Sequence, residues 1–176
     1  MLTLVKWAFI GLLGLTNTCS DTSKFVSGKV VRVLDGDTYD LLLEYSTTVR
    51  VRMEGIDAPE SGMPYARKAT DYLKDLTKGQ TIRITTGNKD QYGRDLSYSY
   101  LDDGRELSRE MIKAGYAWHY KQYNSDRELA ALEKEARAAK RGLWQDKNPM
   151  APWDVRRMRR SGTSTKEMFE ITDENR

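Results

Sequence analysis

Between Thr47 and Glu60 the chain commits to a strand and then to a turn. Val49, Val51 and Met53 alternate with Arg50, Arg52 and Glu54, the period-2 pattern of a strand with one buried face. The run breaks at Gly55 and stops at Pro59, a residue that cannot donate to a sheet ladder and suits a turn. Two similar segments precede it. Phe25 to Leu34 is rich in valine, Asp35-Gly36-Asp37 is a turn signal, and Thr38 to Glu44 offers Tyr39, Leu41, Leu42 and Leu43 for burial. Three short strands joined by tight turns predict an antiparallel meander.

Downstream, Ala66, Ala69, Leu73 and Leu76 fall at helical spacing, with Pro64 suited to a first turn. Strands are predicted over Gln80 to Thr86 and Arg94 to Leu101. A helix from about Glu106 to Ala114 ends at Gly115. A last helix starts at Ser125, where Glu128 completes a capping box. The pattern predicts an α+β, mainly β, domain over residues 24–148: a five-stranded oligonucleotide-binding (OB-fold) barrel with about three packed helices. Residues 149–176 hold Pro149, Pro152 and the basic run Val155-Arg156-Arg157-Met158-Arg159-Arg160, and are expected to form a flexible polar tail. The basic run reads as a solvated helix end, with nonspecific binding to nucleic acid or an anionic surface as the alternative.

The N-terminal residues differ in character. Trp7 to Leu15 is an apolar run preceded by Lys6, too short to span a bilayer as a helix and shaped like the core of an export signal. Residues 1–19 are therefore expected to be a signal peptide, followed by a linker at 20–23, and the protein to be secreted or periplasmic. Cys19 is the only cysteine, so no intrachain disulfide is available. It lies where a bacterial lipoprotein carries its acylated cysteine, which leaves open a lipid anchor to the membrane. The net charge is only +3, so any phosphate-binding surface must be local.

Chemistry concentrates in three short segments. Asp35-Gly36-Asp37-Thr38 reads as a hairpin turn, and Ile56-Asp57-Ala58-Pro59-Glu60 as the loop that ends a strand. Together they place Asp37 and Asp57 at strand ends. Two carboxylates, a backbone carbonyl and water make a hard oxygen site suited to Ca²⁺ or Mg²⁺. One cysteine and one histidine, His119, cannot build a zinc site. The third segment, Asp90-Gln91-Tyr92-Gly93-Arg94, offers an arginine whose planar fork matches phosphate oxygens. Tyr116, Trp118, Tyr120 and Tyr123 cluster after the second helix. Tyr116 and Trp118 read as core, while Tyr120 and Tyr123 are candidates for stacking on a base.

Asp-Gly-Asp-Thr, Arg-x-x-x-x-Asp-x-Pro-Glu and Asp-x-Tyr-Gly-Arg, in this order, resemble the signature of the staphylococcal (micrococcal) nuclease family. Glu106-Leu107, Gly115-Tyr116-Ala117 and Arg141-Gly142-Leu143-Trp144 extend the likeness, which runs from about Lys24 to Asp146. The resemblance implies a Ca²⁺-dependent nuclease acting on DNA and RNA and leaving 3′-phosphate ends. It implies that Asp37, Asp57 and the main-chain carbonyl of Ala58 hold the metal. Glu60 would position or deprotonate the attacking water, and Arg52 and Arg94 would grip the phosphate. Tyr92 would contact the neighbouring phosphate. The chain departs from the family at Gln91, where a lysine is usual, and at Ala58, where the best-known member has threonine. Arg52 lies five residues before Asp57, as the motif requires; Arg50 does not, and reads as a charge-pairing residue. Nothing in the sequence demands more than a monomer. The rival reading is a catalytically silent nucleic-acid-binding barrel, which has no need of the water-positioning glutamate.

Overall fold

The computed structural model describes residues 25–174, with side chains to residue 169. The expected export signal, the linker and Cys19 lie outside the described residues. The predicted meander is present: β1 (Phe25–Val33), β2 (Thr38–Leu43) and β3 (Thr48–Met53) pair antiparallel in sequence order. Then follow β4 (Ile56–Asp57), α1 (Ala66–Thr77), β5 (Ile82–Thr85), β6 (Asp95–Ser97), β7 (Ser99–Tyr100), α2 (Leu107–Lys113), β8 (Trp118–His119), α3 (Arg127–Ala138), α4 (Pro152–Arg160) and α5 (Thr165–Glu174).

The main sheet runs β6-β3-β2-β1-β5-β7. Its two ends are consecutive in the chain. β6 lies parallel to β3 and β7 antiparallel to β5, with only Tyr98 between them. The predicted fifth strand is therefore one run shared between two edges, and sharing it closes the sheet into a barrel. Thr85 makes the join: its carbonyl accepts from Ser97 Oγ at 2.7 Å, and its hydroxyl accepts from the Tyr98 amide at 3.0 Å. Closure removes the exposed strand edges that an open sheet must otherwise protect.

The barrel interior is built from the alternating residues of the strands. Tyr39, Leu41, Val51, Met53, Ile82 and Ile84 are buried, and they meet Leu73 of α1, Leu107, Met111 and Ile112 of α2, and Leu129 of α3. Each such side chain contributes about 1.5–3 kcal/mol by leaving water. The Tyr39 hydroxyl, fully enclosed, donates to Ser99 Oγ at 2.8 Å, so no buried polar atom is stranded there.

Three expectations need correction. The cap of α3 is Asp126 rather than Ser125: its carboxylate accepts from the amides of Glu128 and Leu129. Ile56-Asp57 does not end in a free loop but pairs antiparallel with Trp118-His119 as a second, two-stranded sheet. The stretch from Pro149 is not a loose tail. It carries α4, with Pro152 at the helix start, and α5, and it docks by burying Val155 and Met168 beside Met63. Short-range composition missed this because only two or three apolar residues per helix do the anchoring.

Gly36 shows how tightly the β1–β2 turn is seated. A Cβ there would stand 2.7 Å from Ala58 Cβ and 2.8 Å from Ala69 Cβ, both anchored on other elements. The turn dipeptide thus serves close packing against the β4 loop and α1. Gly36→Ala should destabilise the fold by about 1–3 kcal/mol through overpacking, read as a lower urea midpoint with an unchanged m-value. An unchanged midpoint would show that the turn has room to move.

Candidate active site

The β2–β3 register sets the centre of the site. Thr38 is paired with Arg52, which puts the Arg52 side chain beside Asp37, the residue just before Thr38. Gly55 then turns the chain in the left-handed region, at φ +81°, and Asp57 comes back toward Arg52. The guanidinium lies between the two acids: Nε is 3.2 Å from Asp37 Oδ1, and Nη2 donates to Asp57 Oδ1 at 3.2 Å. Its Nη1 donates to the Met53 carbonyl at 2.6 Å. Asp37 Oδ2 also accepts from the Ala58 amide at 2.7 Å, and Asp37 Oδ1 from the Thr38 hydroxyl. Asp37 and Asp57 are both buried.

Acids and guanidiniums are crowded together here. Asp35 precedes Asp37 in the same turn. Burial, then the charge of Asp37, pushes its carboxyl up to about 7. Asp57 is also raised, first by burial and then by Asp37, against the opposing pull of Arg156 and Arg52. The carboxylates of Asp37 and Asp57 are hard oxygen donors that suit an alkaline-earth ion, which would compete for them with the Arg52 and Arg156 guanidiniums. Among the described residues no group of three His, Cys, Asp or Glu side chains is placed to hold a metal ion. The carboxylates would need main-chain carbonyls and water to complete a shell.

The acid-lined floor opens into a cleft of about 1010 Å³. Glu60 and Arg94 line it together with Asp37, Arg52, Asp57, Tyr92, Tyr120 and Tyr123, so the residues picked out in the sequence do converge. They do not all touch. Arg94 is held on the cleft side by Asp90, with Nε donating to Oδ2 at 2.6 Å. Burial opposes ionisation of Asp90, but that contact and the amides of Arg94 and Tyr92 outweigh it and hold the carboxyl below its usual range. Tyr92 is well exposed, with the Arg94 guanidinium 5.6 Å from its ring centroid. Tyr120 and Tyr123 meet edge to face at 4.8 Å. Tyr116 packs on Tyr72, and Trp118 is buried on Trp144. Arg50 pairs with Asp40 at 2.8 Å and stays outside the cleft.

The largest surprise comes from α4. Arg156 Nη2 donates to Asp57 Oδ2 at 2.7 Å, and its Nη1 to Glu60 Oε1 at 2.6 Å. Arg159 Nη1 donates to Glu60 Oε2 at 2.9 Å. Both oxygens of Glu60 are therefore held by guanidiniums almost a hundred residues downstream. The signal available in the sequence was Pro152 followed by arginines at helical spacing, which marks one basic helix face.

Residues 50–146 match the model of the staphylococcal nuclease homologue family. An uncharacterized endonuclease of Escherichia coli O157:H7 is 45% identical over 135 residues, covering 77% of this chain and 85% of that protein. The chain belongs to the staphylococcal nuclease family. A micrococcal nuclease of Shigella flexneri is 40% identical over 147 residues, covering 78% of this chain and 84% of its own length. The staphylococcal-like nuclease CAN1 of Arabidopsis thaliana is 41% identical over 113 residues, 64% of this chain and 35% of that protein. Within this family member, α4 lies beyond the stretch matched by the family model.

The raised Asp35 gives a signed pH prediction for the metal-free protein. Between its ordinary value of 3.8 and about 7, the unfolded chain has released this proton and the folded one keeps it. Unfolding then releases a proton and grows easier as pH rises. Asp35→Asn should therefore gain stability relative to wild type progressively from pH 4 to pH 7, in urea titrations with EDTA. A constant difference across that range would refute the assignment.

Proposed function

We propose that this protein is an exported, monomeric nuclease that hydrolyses phosphodiester bonds of DNA and RNA with Ca²⁺, leaving 3′-phosphate ends. The export reading rests on residues 1–19, with a lipid anchor at Cys19 as its alternative. The observation that carries the catalytic reading is Arg52 shared between Asp37 and Asp57, on the floor of a cleft that Glu60 and Arg94 also line. Asp37, Asp57 and the Ala58 carbonyl would hold the cation, which supplies Lewis acidity toward a phosphate oxygen.

The chain's own residues supply the rest. Arg52 and Arg94 bind the phosphate and offset the charge that grows on it in the transition state, typically a large catalytic contribution. Glu60 orients the attacking water and accepts its proton. That role requires a free carboxylate oxygen, so Arg156 or Arg159 must first give way at Oε1 or Oε2. A nucleic acid provides the means, because its phosphates compete for the same guanidiniums. Tyr92 offers a hydroxyl to the neighbouring phosphate, and Tyr120 and Tyr123 offer ring faces to a base. Contacts to phosphate carry no sequence information, which accounts for low sequence specificity.

Glu60→Ala should slow cleavage of single-stranded DNA by roughly 10²–10⁴-fold, and Arg94→Ala by roughly 10²–10³-fold, in initial-rate assays with Ca²⁺. EDTA should abolish wild-type activity. A fully active Glu60→Ala variant, or activity indifferent to EDTA, would sink this mechanism. End-labelling of the products should find 3′-phosphates, and 3′-hydroxyl ends would reassign the bond that breaks.

A further inference from the structure

The division of arginines on α4 points to a second use of this helix. Arg156 and Arg159 face the acids of the site. Arg157 and Arg160 do not. Arg157 is exposed and, among the described residues, its one acidic partner is Asp154, one turn earlier on the same helix, at 2.8 Å. Arg160 is exposed and has no acidic partner among the described residues. Both line the same cleft as Arg52, Glu60 and Arg94. Placement in the last turn of a helix favours cations through the backbone dipole, but that does not require them to face the cleft.

An aromatic pair stands beside them. Trp153, on the first turn of α4, stacks on Tyr120 with ring centroids 5.3 Å apart and planes only 4° from parallel. Both rings line the cleft. The pair is held from behind, since Trp153 packs edge to face on Trp118 at 5.6 Å, and Val155 and Met168 anchor the helix. A basic strip next to rigid aromatic faces is the combination that binds single-stranded nucleic acid without reading sequence. Surface ion pairs like Arg157–Asp154 contribute little, so a phosphate displaces Asp154 at small cost.

We propose that α4 is a strand-binding strip of the enzyme. On it Arg157 and Arg160 hold phosphates flanking the scissile one, and the Trp153–Tyr120 pair supports an unstacked base of single-stranded DNA or RNA. The proposal rests on the nuclease reading above, and it extends the substrate site beyond the region that matches the family model.

Binding is measured on the full chain in EDTA, where no cleavage is expected, by fluorescence anisotropy with a labelled single-stranded oligonucleotide over a range of NaCl concentrations. Each phosphate contact to a single strand contributes about 0.7 to the slope of log affinity against log salt. The double variant R157A/R160A should bind more weakly, with a slope shallower by roughly 1.4. Trp153→Leu should weaken binding by roughly five- to a hundred-fold with the slope unchanged, as loss of a stacking partner predicts. Arg67→Ala with Lys134→Ala, a charge-matched change outside the cleft, should leave slope and affinity as in wild type. An unchanged slope in R157A/R160A overturns the strip. So does loss of binding to phosphatidylglycerol vesicles in place of the oligonucleotide, which would assign the helix to a membrane surface. The nuclease reading fails separately: Glu60→Ala would then cleave like wild type whatever the slopes.

Discussion

The site depends on one guanidinium held between two buried carboxylates. Arg52 can stand between Asp37 and Asp57 only because β2 and β3 pair with Thr38 opposite Arg52. A one-residue slip would send the arginine into the barrel and its apolar neighbours Val51 and Met53 into water. The buried face of the barrel therefore enforces the register that the chemistry needs. Gly36 adds to this by letting the acidic turn lie against Ala58 and Ala69, and Gly55 by reversing the chain so that Asp57 returns to the same arginine. Stability of the core and geometry of the cleft are the same constraint seen from two sides.

Buried acids in this number carry a standing electrostatic cost. Asp35 meets it by keeping its proton to about pH 7. Asp57 and Glu60 meet it through Arg156 and Arg159. Ionisation of Arg156 is strengthened by those two acids despite the opposing effect of its burial. The C-terminal helices are thereby tied to the site by charge as well as by the burial of Val155 and Met168. Removing α4 would leave the acids short of partners, so the segment beyond the matched domain is part of the electrostatic balance of the centre. The same contacts occupy both oxygens of Glu60, so freeing either one requires the release of Arg156 or Arg159.

Much of the fold was readable from local pattern. The three-stranded meander, α1, β5 and α2 follow from periodicity, Gly and Pro positions, and turn dipeptides. The pairing of Ile56-Asp57 with Trp118-His119 was not, because two-residue strands carry no periodic signal. The split at Tyr98 was hidden too, since a strand that changes partners keeps its alternation. Ser125 and Asp126 are both good caps, and only the backbone geometry selects Asp126.

By itself the sequence determined the strand order of the meander, the chemical types available at the strand ends, and the motif spacing that separates Arg52 from Arg50. Those are properties of neighbours along the chain, set by side-chain period and turn chemistry. Tertiary structure alone decided that Asp35 shares the electrostatics of the centre, that Arg94 waits on Asp90 at the side of the cleft, and that α4 delivers Arg156 to Asp57 and Glu60. Those contacts join residues up to 99 positions apart, and the anchoring is spread over a few buried methionines and one valine. No local pattern encodes such a contact, because its energy exists only once the barrel has closed and the helix has a surface to lie on.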